Sequence, residues 1–142
     1  MSGQTINASI GILLVGVCRA HRNHAAELLA RIGLYVGQEW ILLRLREQEG
    51  GTQSALAEDC DVEGPTMSKA LQRMQKAGLV ARKEDATDAR VSRIYLTEQG
   101  RALCDKVDEI WAELEQRTLA DLSIEERILL RRLLLQVRSN LE

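Results

Sequence analysis

Apolar residues recur along the start of the chain at the three- and four-residue spacing of a helical stripe: Ile6, Ile10, Leu13, Leu14 and Val17, then Leu28, Leu29 and Ile32. The spacing predicts a first helix over about 6–32. Gly33 closes it, because glycine enters the left-handed conformation of a helix stop without a Cβ penalty. The run 10–18 inside this helix is apolar but far too short to span a bilayer, and no basic residue precedes it as in a signal peptide. It reads as a buried helix. A second helix is expected over about 37–49, with Trp40, Ile41, Leu43 and Leu45 buried and Gly50-Gly51 ending it.

Shorter elements follow. The Thr52 hydroxyl is placed to cap a third helix that ends at Cys60. A tight connection, 61–64, leads to a fourth helix that opens at Pro65, where the missing N–H would go unpaired in any case. That helix runs to Ala77 and Gly78 stops it. The period then changes from helix to strand over 79–84 and 91–96, with Ser92, Ile94 and Leu96 on one face and Val91, Arg93 and Tyr95 on the other. The polar stretch 85–90 makes a hairpin tip. Thr97 caps a fifth helix over about 98–119, and Ser123 with Glu126 forms a capping box for a sixth that ends near Leu141. The result is a mainly α fold with a small β-hairpin wing: a winged helix-turn-helix lobe over 37–97, flanked by N-terminal (6–36) and C-terminal (98–142) dimerisation helices.

In a helix-turn-helix the second helix of the pair enters the major groove of DNA. Leu56, Ala57, Cys60, Val62, Met67, Ala70, Leu71 and Met74 supply the small and apolar residues needed where the two helices cross. The outer face of the fourth helix then carries Thr66, Ser68, Lys69, Gln72, Arg73 and Lys76. Hydroxyls and amides read base edges or bond phosphates, and the cations neutralise phosphate charge. At the wing tip, Arg90 is a long cation suited to the minor groove, and Asp88 is spaced to hold its guanidinium.

Charge supports this placement. The net charge is only -2, which excludes a globally basic coat, yet residues 66–95 hold seven Lys or Arg against three Asp or Glu. That segment is therefore +4 and the remainder -6, the sign separation of a DNA reader. An ordinary solvated helix face is the alternative. The chain of 142 residues suits one domain with an attached dimerisation region and needs no metal or disulfide staple. With no Phe, its core is built from Leu, Ile, Val, Ala and Met. Cys18, Cys60 and Cys104 are odd in number and widely spaced, with neither a zinc pattern nor a disulfide framework, which points to a reducing cytoplasm.

With these residues in place the chain resembles the MarR family of bacterial regulators. The carriers are Gly51-Thr52-Gln53-Ser54-Ala55-Leu56-Ala57, the stretch from Pro65 to Met74, the stretch from Ala77 to Arg82, then Asp85, Asp88 and Arg90, and Leu96-Thr97-Glu98-Gln99-Gly100. The wing carries Ala86 and Ala89 where members often have Pro and a second Arg. The resemblance implies a homodimer with interleaved terminal helices, bound to a pseudo-palindromic double-stranded operator. It implies a repressor in the bacterial or archaeal cytoplasm, released by a small aromatic or lipophilic effector or by cysteine oxidation. It assigns DNA contacts to Thr52 and Gln53, to the outer face of the fourth helix, and to Asp88 and Arg90.

Periodicity points to a dimer as well. Leu103, Val107, Ile110 and Leu114 repeat like a coiled-coil stripe, and the last helix is apolar round much of its circumference. For an effector pocket the candidates are His21, Tyr35, Trp40 and Trp111. A redox or metal sensor is an alternative, through Cys18 with His21, His24 and Glu27, although steps of three drift round a helix and the residues read equally as solvated or interface side chains. Cys18 itself reads as a buried thiol, and Cys60 and Cys104 as core. A winged helix used only for protein contacts is a further alternative. No catalytic constellation, phosphate-cradling glycine loop, metal set or cofactor motif stands out, so an enzyme is not expected.

Overall fold

The computed structural model describes residues 9–142, so the part of the first predicted helix that includes Ile6 lies outside the described residues. The elements are α1 (Ile10–Ala30), α2 (Gln38–Glu47), α3 (Gln53–Asp59), α4 (Gly64–Lys76), β1 (Val80–Glu84), β2 (Ser92–Leu96), α5 (Glu98–Thr118) and α6 (Ile124–Leu141). Their order is the one the pattern predicts. The hairpin is antiparallel, with Val80 opposite Leu96 at its base and Glu84 opposite Ser92 near its tip. Among the described residues no helix is long and apolar enough to cross a membrane.

Local chemistry sets the boundaries. The Thr52 hydroxyl accepts from the Ala55 N–H at 3.2 Å and the Thr97 hydroxyl from the Gly100 N–H at 3.0 Å. The Ser123 hydroxyl and Glu126 carboxylate each accept the other residue's N–H, closing the capping box. At the C-termini, α1 and α4 end alike. Gly33 and Gly78 both take φ of +77°. The following N–H groups of Leu34 and Leu79 reach back to the Leu29 and Met74 carbonyls at 3.0 and 2.9 Å. Helix α3 ends the same way with Asp61 at φ +52° in the glycine's place, and the Val62 N–H bonds the Ala57 carbonyl at 2.9 Å.

One core runs through the lobe. Leu28 and Leu29 of α1, Leu42 and Leu45 of α2, Met67, Leu71 and Met74 of α4, and Ile94 of β2 are sealed together with Cys104, Val107 and Leu114 of α5. Full burial of each such side chain stabilises by about 1.5–3 kcal/mol. The predicted helix-turn-helix contacts hold: Leu56 and Ala57 are buried, and Cys60, Val62 and Ala70 pack against the core partly covered. The start of α5 lies so close to the hairpin that a Cβ on Gly100 would stand 2.1 Å from the Leu79 carbonyl oxygen.

Four expectations are corrected. Val107, Ile110 and Leu114 do not await a partner; they are buried against this chain's own lobe. Trp40 is half exposed, whereas Leu42, two positions on, takes the core place. The run 10–18 is not buried among the described residues of the protomer: Ile10, Ile12, Leu13, Val15 and Val17 lie open. Cys18, expected buried, is exposed on the same segment. On α6 no residue is buried at all.

Candidate nucleic-acid interface

Burial of Met67, Leu71 and Met74 fixes the rotation of α4, and the opposite face follows from the helical period. That face presents Thr66, Lys69, Gln72, Arg73 and Lys76 to solvent, with Ser68 half covered at its margin. Among the described residues, neither Lys69, Arg73 nor Lys76 has a carboxylate within ion-pair distance. Arg73 instead holds its guanidinium carbon 5.9 Å from the centre of the Tyr35 ring.

The wing is held by its own hydrogen bonds. Asp85 accepts from the Thr87 hydroxyl at 2.6 Å, from the Thr87 and Asp88 N–H groups at 3.1 and 3.2 Å, and from Arg93 Nε at 2.5 Å. The Thr87 hydroxyl, then the Arg93 guanidinium, hold the Asp85 carboxyl well below the usual carboxylate range. Arg93 also donates to the Gly50 carbonyl at 2.8 Å, which ties the hairpin to the end of α2. Beyond this knot, Arg90 extends with 91% of its side chain exposed. Asp88 accepts from the Arg90 backbone N–H at 3.0 Å and from its Nε and Nη2 at 3.1 and 3.3 Å, so the cation leaves the tip in a fixed direction. Those bonds from Arg90 hold the Asp88 carboxyl low.

Of the residues predicted to meet DNA, Thr52, Gln53 and Arg90 come together on one cleft of about 330 Å³ between the start of α3 and the wing. The α4 set forms a continuous face of its own. Sequence reasoning missed the Asp85–Arg93–Gly50 tie. Its signal was slight: an acid just past one strand and an arginine on the outer face of the other.

The four effector candidates divide. His21, Trp40 and Trp111 converge, with ring centres 6.0 Å apart for His21–Trp111 and 5.2 Å for Trp40–Trp111. Tyr35 sits apart, beside α4. Two buried nitrogens, Trp111 Nε1 and His24 Nε2, have no hydrogen-bond partner among the described residues. Cys18, His21, His24 and Glu27 do not assemble a metal-holding group: among the described residues no three His, Cys, Asp or Glu side chains do so. Burial pushes the Cys60 and Cys104 thiols up, away from the reactive thiolate form.

Comparison with known proteins agrees with this geometry. The MarR family model matches residues 37–91. The HTH-type transcriptional repressor Rv2887 of Mycobacterium tuberculosis is 30% identical over 139 residues, covering 97% of this chain and 99% of that protein. The structure of the Staphylococcus aureus MepR–DNA complex superposes with a TM-score of 0.82 at 28% identity, covering 93% of this chain and 98% of that one. A probable transcriptional regulator from Pseudomonas aeruginosa gives the same TM-score at 27% identity, with 93% and 98% covered.

Proposed function

The chain belongs to the MarR family, and from that premise we propose that it is a sequence-specific DNA-binding transcriptional repressor acting as a homodimer. The observation that carries this reading is the shared exposure of two chemically distinct probes: the cationic face of α4, without carboxylate partners among the described residues, and the aimed, solvent-facing Arg90. A helix of about this width fits the major groove, and an exposed arginine fits the negative potential of the neighbouring minor groove. In this reading Thr66, Ser68, Gln72 and Arg73 meet base edges or phosphates, and Lys69 and Lys76 neutralise phosphates. Thr52 and Gln53 position the backbone, and Arg90 enters the minor groove under the aim of Asp88. Residues 37–97 are then the DNA-binding lobe, and 6–36 with 98–142 the dimerisation region.

The bare apolar surface of α6 and the first half of α1 supports the dimer, since a second copy covers both. Two lobes then face half-sites roughly 34 Å apart. The cluster of His21, Trp40 and Trp111, in which Trp111 Nε1 has no partner among the described residues, supports a small aromatic effector that releases the operator.

Fluorescence anisotropy across a salt series tests the reading, using duplex from upstream of the protein's own gene beside a shuffled duplex. Preference for the upstream duplex, a steep salt slope, and weaker binding by Arg73→Ala and Arg90→Ala are expected. Absence of binding to either duplex at low salt would instead support a protein-interaction module.

A further inference from the structure

Tyr35 is an unusual residue to find in water. It stands in the short connection between α1 and α2, where the residue is 68% exposed, yet its backbone is clamped from both sides. The Tyr35 N–H donates to the buried Gln38 side chain at 3.0 Å, and the Tyr35 carbonyl accepts from the Gln38 N–H at 3.1 Å. Next along, Gly37 takes φ of +102° and its N–H is fixed at 2.7 Å by the carboxylate of Glu39, itself buried. An exposed ring on so rigid a base is presented rather than merely left over. What it meets is Arg73 of α4, at the cation–π distance of 5.9 Å.

The three arginines of the interface are therefore held in three ways. Arg93 is bound to Asp85 and Gly50, which hold its Nε and Nη1 against the protein. Arg90 is aimed by a carboxylate, which phosphate must compete with for the same donors. Arg73 alone is held by an aromatic ring. A cation–π contact satisfies none of the guanidinium's donors in the way a carboxylate does, so they stay available, and the order imposed on a long side chain is not repeated as an entropy loss on binding.

We propose that Tyr35 is a positioning residue for DNA recognition, holding Arg73 in its binding direction from the α1–α2 connection through a cation–π contact. This rests on the regulator reading above. Tyr35 lines clefts against both α1 and α4, so the contact joins the α1–α2 connection to the recognition helix.

The test is a double-mutant cycle with Tyr35→Leu, Tyr35→Phe and Arg73→Ala, read by anisotropy on the upstream duplex, beside proton NMR of the Arg73 side chain. Tyr35→Phe keeps the ring and is expected to match wild type. Tyr35→Leu is expected to weaken binding about two- to five-fold per lobe, and to add nothing once Arg73 is Ala. The Arg73 side-chain protons should show a ring-current shift in wild type and Tyr35→Phe that is absent in Tyr35→Leu. Unchanged binding by Tyr35→Leu, or an equal loss in the Arg73→Ala background, would overturn the proposal while leaving the regulator reading intact. Should wild type fail to prefer the upstream duplex, the regulator reading falls and the role in DNA recognition falls with it; the ring-current shift then reports only whether the contact itself exists.

Discussion

Met67, Leu71 and Met74 on α4 are sealed from water, whereas Leu133, Leu134 and Leu135 on α6 expose 44, 47 and 38% of their surface. Helix α6 is the richer of the two in apolar residues, so the difference lies not in what each helix offers but in what lies opposite. Helix α4 faces α3 and the hairpin, and its spare side is cationic. Helix α6 follows α5, and among the described residues nothing covers its apolar side. The contrast teaches that the lobe, closed by the second half of α1 and by α5, completes its own core and keeps a readable surface, while α6 and the first half of α1 leave apolar faces that the proposed second copy would cover.

The largest effect should come from the unfinished region. Leu134→Asp, best combined with Leu133→Asp, places charge where apolar cover is needed at two symmetry-related positions. Losing about 1.5–3 kcal/mol per buried leucine raises the dimer dissociation constant at least about a hundred-fold. Sedimentation velocity reads this directly, and an unchanged dimer would remove α6 from the interface. The lobe should break in a different way. Leu71→Ala should cost about 2–5 kcal/mol in denaturant unfolding through the cavity it leaves. Gly100→Ala, which drives a methyl group into the Leu79 carbonyl, should cost about 1–3 kcal/mol.

Acid sharpens the comparison further. Asp85, Asp88, Asp108 and Glu49 are all held below the usual carboxylate range, by Thr87 with Arg93, by Arg90, by Arg46 and by Arg101 respectively. The folded protein therefore binds fewer protons than the unfolded chain near pH 4. Their contribution to stability is complete above the unfolded carboxylate pKa of about 4 and is lost as pH falls below it. Burial pushes Glu39 up, so its own contribution has the opposite sign and declines as pH rises through the window above about 4. Unfolding midpoints should fall steeply from pH 5 to pH 2 in wild type and less steeply in Asp85→Asn; parallel curves would discount the wing knot. The smallest effect is at the α3 stop. Asp61→Gly relieves a left-handed aspartate and should raise stability by less than about 1 kcal/mol, seen as a small rise in Tm.

Much of the fold was legible because its boundaries are written in local chemistry. Thr52, Thr97 and Ser123 cap the helices they were expected to cap, and Gly33 and Gly78 stop the helices they follow. What the pattern does not encode is which body covers an apolar stripe. Val107, Ile110 and Leu114 have the spacing of an interchain seam but meet α1 and α2, while the segment 10–18 looks like core and lies bare. The Asp85–Arg93–Gly50 tie and the Gly100–Leu79 approach are likewise tertiary: each depends on where the hairpin lies against a helix forty or twenty residues away. The sequence places Tyr35 in one candidate pocket with His21, Trp40 and Trp111. The turn at Gly33 carries it instead to the α4 side.

Hydroxyl-radical footprinting of the upstream duplex tests most directly whether a dimer reads DNA with both lobes. Two protected blocks on each strand, related by a dyad and centred about one helical turn apart, are expected, with the minor-groove edge of each block lost in Arg90→Ala. A single protected block bound by a monomer, or cleavage indistinguishable from free DNA at concentrations where the dimer is folded, would contradict it.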